Sequence, residues 1–177
     1  MKTIALLAVL FACAFAAKDH EESITQINDL IFYASKGFET GLYKEEPEMS
    51  DMCAGNWSEP ILDELLTAVD ELGQDMTTNM VLILGDTAQI AVRDYDYCGW
   101  RTLASGLYEH CFTKGKCTVQ RITINVTLNM NKITTEFAEI MTHLASTIKT
   151  REEYIAMISG VSESSGSILQ MITGFKG

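Results

Sequence analysis

Apolar residues recur at alternating steps of three and four along the last third of the chain, which is the spacing of one side of an α-helix. Two such runs are present, and a short polar segment separates them. The first contains Val119, Ile122, Val126, Met130, Ile133, Phe137, Ile140, Leu144 and Ile148, and the second contains Tyr154, Ile158, Val161, Ser165, Ile168, Ile172 and Phe175. The pattern predicts two long helices, each with an apolar stripe to bury.

The segment between the two runs, Thr150-Arg-Glu-Glu153, has the form of a capping box. In this motif a hydroxyl and a carboxylate satisfy the free amides at the start of a helix. We therefore predict a sharp turn before the second helix. Together the two helices would form a C-terminal hairpin from Val119 to Phe175, which we take as the spine of the fold.

The segment Arg121 to Asn131 also fits a second pattern, because apolar and polar residues alternate along it and many are β-branched. That alternation is typical of a β-strand. We favour a helix, because the helical stripe continues through this segment to Ile148. A single strand without a partner would also leave its backbone polar groups unsatisfied.

Four shorter helices are predicted before the hairpin, each with its own apolar periodicity. They span Glu21 to Leu42, Ser58 to Leu72, Asp75 to about Val92, and Trp100 to Cys111. Ser58 and Asp75 are expected to cap their helices with a side-chain oxygen. The polar and aromatic segment Asp94 to Cys98 is predicted to be a loop.

Two glycines, Gly37 and Gly41, lie four residues apart near the end of the first predicted helix. Small residues at this spacing allow another backbone to approach closely. Alternatively, Gly41 simply ends the helix. The serine-rich segment Ser162 to Ser167 is interpreted as a set of small residues on a packed side of the last helix.

The first 17 residues have the form of a secretion signal, with Lys2, an apolar core and a small-residue cleavage site ending at Ala17. The mature chain, Lys18 to Gly177, is predicted to form a single helical domain. It would carry 12 basic against 24 acidic residues, a net charge of −12. Such an acidic surface argues against binding to nucleic acid or to anionic membranes. No later run is apolar enough to predict a transmembrane segment.

Four cysteines remain after removal of the signal: Cys53, Cys98, Cys111 and Cys117. An even number of cysteines in a secreted chain predicts two disulfides, with three possible pairings. One pairing closes the loop from Cys111 to Cys117 and leaves Cys53 with Cys98, but the spacing does not select among the three. Two sequons, at Asn56 and Asn125, are predicted glycosylation sites.

No catalytic motif is recognised, and we predict neither enzymatic activity nor a cofactor. The histidines of the mature chain, His20, His110 and His143, form no metal-binding motif. Asp94 and Asp96 have the spacing of a calcium loop but lack its glycine and distal glutamate. No metal site is therefore predicted.

Several methionines fall in or near the apolar stripes, and we interpret them as adaptable core residues. They are Met76, Met80, Met130, Met157 and Met171. The same residues would suit a soft pocket for a lipid or another apolar ligand held between helices, which is the alternative function that we keep open.

A family pattern also runs along the mature chain. It consists of Gly37-Phe-x-x-Gly41-Leu, then Cys53, the cysteines between Trp100 and Cys117, and a tail with Gly160, Gly166-Ser-Ile-Leu and Gly174-Phe175. The chain resembles a family of small secreted helical proteins of ciliated protists. That resemblance implies a signal peptide, disulfides and an all-helical fold, and it implies no catalytic residues.

The sequence thus predicts an all-α, disulfide-stabilised helical bundle of about five or six helices with a long C-terminal hairpin. We expect a secreted, extracellular, non-enzymatic structural glycoprotein that self-associates as a homo-oligomer, a coat or a filament. Long stripes on two helices exceed what one bundle can cover, and the exposed remainder favours association.

Overall fold

The computed structural model describes residues 20–175, which form an all-α protein with two disulfides. Its helices are α1 (His20–Tyr43), α2 (Glu59–Asp70), α3 (Met76–Tyr97), α4 (Trp100–Tyr108), α5 (Val119–Leu144) and α6 (Arg151–Thr173). One π-helical turn, Glu109–Thr113, extends α4. Within these residues there is no β-strand, so the predicted helical bundle is confirmed. The predicted signal peptide, Met1 to Ala17, lies outside the described residues.

The C-terminal hairpin is present, and the ambiguous segment Arg121 to Asn131 is helical. Thr118 starts α5 by accepting a hydrogen bond from the backbone amide of Arg121. At the start of α6 the Thr150 hydroxyl accepts from the amide of Glu153, and the Glu153 carboxylate accepts from the amide of Thr150, each at 3.2 Å. Both halves of the predicted capping box are therefore formed.

The centre of the fold is α6, because α1 packs along one of its sides and α5 along another. The contact between α1 and α6 is the most extensive of any helix pair. The prediction that the hairpin is the spine is therefore incomplete, since the first helix of the domain contributes more to the packing of α6 than α5 does. A repeat of apolar residues along the hairpin gives no information about α1, which ends 151 − 43 = 108 positions before α6 begins.

The seam between α1 and α6 is made of small residues that bring the two backbones together. A β-carbon added at Gly41 would lie 1.8 Å from the carbonyl oxygen of Glu163, and one added at Gly166 would lie 2.1 Å from that of Phe38. Ser167 is buried on the same seam and donates to the carbonyl of Gly41 at 3.4 Å, whereas the buried Ser164 donates to Glu139 of α5. The close approach predicted from Gly37 and Gly41 is confirmed, and Gly41 does not end α1, which continues to Tyr43.

Polar side chains tie the two ends of this seam. At the start of α6, Arg151 donates from Nε and Nη2 to the two carboxylate oxygens of Asp29, at 2.6 and 2.8 Å. Nearby, the Tyr154 hydroxyl donates to the carbonyl of Gln26 at 3.3 Å. At the other end, Lys44 donates to the hydroxyl of Ser167. Bidentate pairing satisfies the carboxylate of Asp29, which is 7% exposed.

Two apolar clusters form the core on either side of the first helix. The first joins α1, α2 and α3 through Ile27, Leu62, Leu65, Leu66 and Ile90. The second joins the end of α1 to α4 and to the residues after α6, through Leu42, Leu103 and Phe175. No residue of α5 is buried, so α5 adds to neither cluster.

Two local predictions are wrong. The segment Asp94 to Cys98 is not a loop, since α3 continues to Tyr97 and the Cys98 amide donates to the Asp94 carbonyl at 2.8 Å. Asp94 is polar but buried. The sequence pattern therefore predicts a helix that is shorter than the one observed. Ser58 does not cap α2 with its side chain. Its hydroxyl donates instead to the side-chain oxygen of Asn28 at 2.8 Å and so links α2 to α1. The Asp75 cap of α3 is confirmed.

Candidate functional site

The four predicted cysteines form two disulfides, Cys53–Cys98 and Cys111–Cys117. The first joins the loop before α2 to the end of α3, and both of its cysteines are buried. The second closes the short loop between α4 and α5. The fold thus selects one of the three pairings that the sequence left open, because it brings these cysteines together in space.

The two sequons occupy different environments. Asn56 is exposed in the turns that precede α2. Asn125 lies off the apolar stripe of α5, but it is half-buried against α6, where its amide nitrogen donates to the carbonyl of Ile172 at 3.1 Å. A glycan is attached through this nitrogen, so a glycan at Asn125 would displace the end of α6. Glycosylation at either position stays a prediction.

The five methionines of the apolar stripes lie in different environments. Met80, Met157 and Met171 are half-buried, which agrees with their interpretation as core residues. Met76 and Met130 are exposed by 68% and 51%, so for these two the core prediction is wrong. Met130 follows the apolar stripe of α5, but only part of that stripe is covered by a neighbouring helix.

One open cleft of about 630 Å³ lies between the end of α1, α4 and the residues after α6. Its ten lining residues are Tyr43, Lys44, Glu45, Thr102, Gly106, Glu109, His110, Lys114, Gln170 and Phe175. Five of them are titratable lysine, glutamate or histidine side chains, and none is methionine. This lining does not match the methionine-rich pocket that an apolar ligand between helices would require. His110 donates from Nε2 to the carbonyl of Thr173 at 3.1 Å, so it fixes the end of α6.

The other two histidines also make structural contacts. His20 bonds through its two ring nitrogens to Asp63 at 3.3 Å and Asp70 at 2.9 Å, and so joins the start of α1 to α2. The hydrogen bond that His20 donates to Asp70 is the largest cause that raises the pKa of His20 above its ordinary value. His143 is half-buried in the last turn of α5, with its ring beside Gly160. Across the described part of the chain, no three side chains of His, Cys, Asp or Glu come together to hold a metal ion.

Burial raises the pKa of three carboxyl groups, those of Glu39, Asp86 and Asp94. Burial raises the pKa of Asp94, whose Oδ1 accepts from the amide of Ala54 at 3.3 Å and whose Oδ2 has no partner. Burial, followed by the nearby charge of Glu64, raises the pKa of Asp86. A raised pKa is one property of catalytic acids. Asp94, however, lies against the Cys53–Cys98 disulfide and is only 6% exposed, so a substrate could not reach it.

A row of exposed apolar side chains lies on α5. Five side chains on one side of this helix are exposed by between 51% and 82%: Val119, Met130, Phe137, Met141 and Leu144. Their positions differ by 11, 7, 4 and 3 residues, which places them in one row along the helix. We call this row the α5 face. Four of its residues belong to the predicted stripe and Met141 lies beside them, and all five stay exposed although α5 packs on α6.

Threonines flank the α5 face and make it easier to dehydrate. The hydroxyls of Thr123, Thr127 and Thr134 each donate to the carbonyl four residues earlier, at 2.8 to 2.9 Å. A hydroxyl satisfied in this way needs no water, so covering it costs little. The charged residues of α5, which are Arg121, Lys132, Glu136 and Glu139, fall on other sides of the helix at 100° per residue.

A second apolar row lies on α3, and the sequence analysis missed it. Val81, Leu84, Val92 and Tyr95 are exposed by 43% to 66%, and Ala88 between them is also exposed. Their spacing of three, four, four and three residues defines the α3 face. That spacing is visible in the sequence. The buried side of α3 contains Asn79 and Asp94 besides Ile83 and Ile90, so hydropathy does not distinguish the inner side of this helix from the outer one.

The chain matches no known family model, and neither a characterised protein nor a solved structure shows significant similarity to it. The resemblance to secreted proteins of ciliated protists therefore stays a prediction. None of the helices in the described range is long and apolar enough to cross a membrane.

Proposed function

We propose that this protein is a secreted, non-enzymatic structural glycoprotein that self-associates into an extracellular coat or filament. The observation that carries the proposal is the α5 face. The exposed parts of its five side chains amount to on the order of 600 Å² of apolar surface, at the upper end of what monomeric proteins expose in one patch, about 300–600 Å².

Packing explains why this surface is available. α5 touches the rest of the protein mainly through α6, and not one of its 26 residues is buried. A helix that only closed the core would place its apolar side inward. In α5 that side is divided, with Ile122, Ile133 and Ile140 half-buried and Phe137 and Met141 exposed. The divided stripe has room for a second partner.

Export is supported by the signal-like pattern of the first 17 residues and by the two disulfides, which persist in oxidising compartments. Asn56, which is exposed, is the sequon whose glycan would disturb no contact between helices. The absence of a recognised catalytic motif supports a structural role, and the tight disulfide-bonded core suits a durable extracellular protein.

The test is the mass of the mature protein in solution, measured by light scattering and followed by electron microscopy. We expect large, regular assemblies. Phe137→Ser on the α5 face should reduce the mean mass. Leu128→Ser is the matched control, because Leu128 is 78% exposed on the same helix but lies on the opposite side. A wild-type protein that is monomeric at every concentration would refute the proposal, and so would an equal effect of the two substitutions.

A further inference from the structure

We infer that copies of this chain join head to tail, with the α5 face of one copy on the α3 face of the next. This inference rests on the proposed self-association and adds its geometry. Three independent features support the pairing of these two faces: the charge of the regions that carry them, the sizes of their side chains and their combined area.

Charge is divided unequally along the chain. Residues 20–109, from α1 to the end of α4, contain 18 acidic against 4 basic side chains, a net charge of −14. Residues 110–150, which include α5, contain two acidic against five basic side chains, a net charge of +3. A contact between two α3 faces would bring two strongly negative regions together. α5 itself is neutral, and the positive surplus comes from Lys114, Lys116 and Lys149 in the segments that flank it, so a contact between α5 and α3 avoids this repulsion and disfavours contacts between two α3 faces.

The side chains on the two faces differ in size. The α5 face presents long residues, among them Met130, Phe137 and Met141. The α3 face has small residues at its middle, where Gly85 and Ala88 lie between the valines, and a β-carbon added at Gly85 would have nothing within 4 Å. Long side chains of one helix pack into the spaces above small residues of another. A pair of α5 faces would instead set long side chains against each other.

The combined area is sufficient for a specific contact. The α3 face adds on the order of 400 Å² of exposed apolar side chain to the roughly 600 Å² of the α5 face. Together they approach the roughly 1,000 Å² that a specific interface needs. The satisfied threonine hydroxyls beside the α5 face enlarge the area that can be covered without loss of hydrogen bonds.

A contact between two different faces leaves one of each free at the ends of every assembly. Such a contact does not close on itself unless the rotation between copies happens to form a ring, so it generates an open filament. The acidic remainder of the surface would then keep neighbouring filaments apart.

Two variants, each blocked on one face, test this geometry. Phe137→Asp blocks the α5 face and Val92→Asp blocks the α3 face, and both sites are exposed by 60% or more, so the fold should be retained, as circular dichroism would verify. Leu128→Asp is the charge-matched control on the other side of α5. We expect each blocked variant alone to be monomeric at concentrations at least about tenfold above those at which the wild type assembles, as for loss of a central apolar contact.

Mixing the two blocked variants is the decisive measurement. Each retains the face that the other lacks, so an equimolar mixture should form a 1:1 dimer and stop there. If the Val92→Asp variant alone still forms dimers, the contact is between two α5 faces, and the head-to-tail geometry is wrong while self-association stands. The geometry is equally wrong if both variants assemble as the wild type does. A monomeric wild type would instead overturn the proposed function.

Discussion

Two helices pack on α6 in different ways. α1 approaches it so closely that Gly41 and Gly166 contact the opposite backbone, and Ser167 is buried between the helices. α5 packs through larger apolar side chains, stays partly exposed at every position and leaves its own apolar stripe divided. One seam is closed by small residues, whereas the other leaves a surface for further contacts.

The difference shows that an apolar stripe is a poor guide to which contacts are tightest. The stripe of α5 is longer and more regular than anything on the side of α6 that faces α1. Yet two helix backbones can approach closely only where the side chains between them are small, such as glycine and serine. Larger side chains, such as leucine and phenylalanine, hold the helices further apart. The tight seam between α1 and α6 supports the fold, whereas the looser packing of α5 on α6 leaves the α5 face exposed.

The largest effect that separates the two seams should come from adding one methyl group to each. In Gly166→Ala the new carbon would lie 2.1 Å from the carbonyl oxygen of Phe38, which is backbone and cannot turn away. We expect a loss of about 3 kcal/mol of unfolding free energy. In Gly160→Ala, on the α5 side, the new carbon would meet the ring of His143 at 2.3 Å, and that side chain can rotate. Its change should stay within about 1 kcal/mol.

Urea denaturation of the wild type, Gly166→Ala and Gly160→Ala measures the free energy of unfolding of each and so tests this prediction. Gly85→Ala is a further control. Gly85 lies inside α3 with nothing within 4 Å, so alanine there should stabilise the protein by about 0.5–1 kcal/mol through helix propensity. A Gly166→Ala variant as stable as Gly160→Ala would contradict the close approach of α1 and α6.

A smaller effect should follow from removing the polar tie of the tight seam. Arg151→Gln leaves the carboxylate of Asp29, which is 7% exposed, without its bidentate partner. The expected cost is about 1–3 kcal/mol, since a buried charged acceptor loses its hydrogen bonds. The comparison is with Lys36→Gln, which removes the exposed pair Lys36–Glu46 and should cost no more than about 0.5 kcal/mol. Equal losses in thermal unfolding of the two variants would argue against the role of the Asp29 pair.

The smallest effect lies outside both seams, at the contact of His20 with Asp63 and Asp70. The pKa of His20 is raised in the folded state, so the protonated imidazole stabilises the fold below the unfolded pKa of about 6.5. This contribution is lost as the pH rises through the folded pKa. We expect His20→Gln to lower Tm relative to wild type at about pH 5.5 and to have little effect at about pH 9. A difference in Tm that is independent of pH would exclude a role for the charged imidazole.

The sequence predicted the helices well because their signals are local. The threonine and glutamate of the capping box, the aspartate at the start of α3 and the three-and-four spacing in α5 and α6 all act within a few residues. These signals determine that each segment is helical. They do not indicate where burial of a side chain, here that of Asp94, stabilises the end of a helix. For that reason the last turn of α3 was predicted to be a loop.

The candidate site was predicted only in part. The expectation that α5 has more apolar surface than the bundle covers agrees with the structure, but the α3 face was missed. In α3 the buried side includes Asn79, which donates to the carbonyl of Glu71 at 2.7 Å, and Asp94, which accepts from Ala54 at 3.3 Å. These hydrogen bonds allow the two polar side chains to be buried. With Ile83 and Ile90 buried on this side and an apolar row exposed on the other, hydropathy alone does not tell the two sides apart.

By itself the sequence determined that the chain forms an all-α protein, which segments are helical and that its cysteines suffice for two disulfides. Only the tertiary structure decided that Cys53 pairs with Cys98, that α1 is the main partner of α6, and which half of the α5 stripe is exposed. The physical reason is that periodicity fixes directions around a helix axis. The packing of small residues between α1 and α6 sets the distance between these two helices. That packing determines which side of each helix is covered by a neighbouring helix and which side is exposed to solvent.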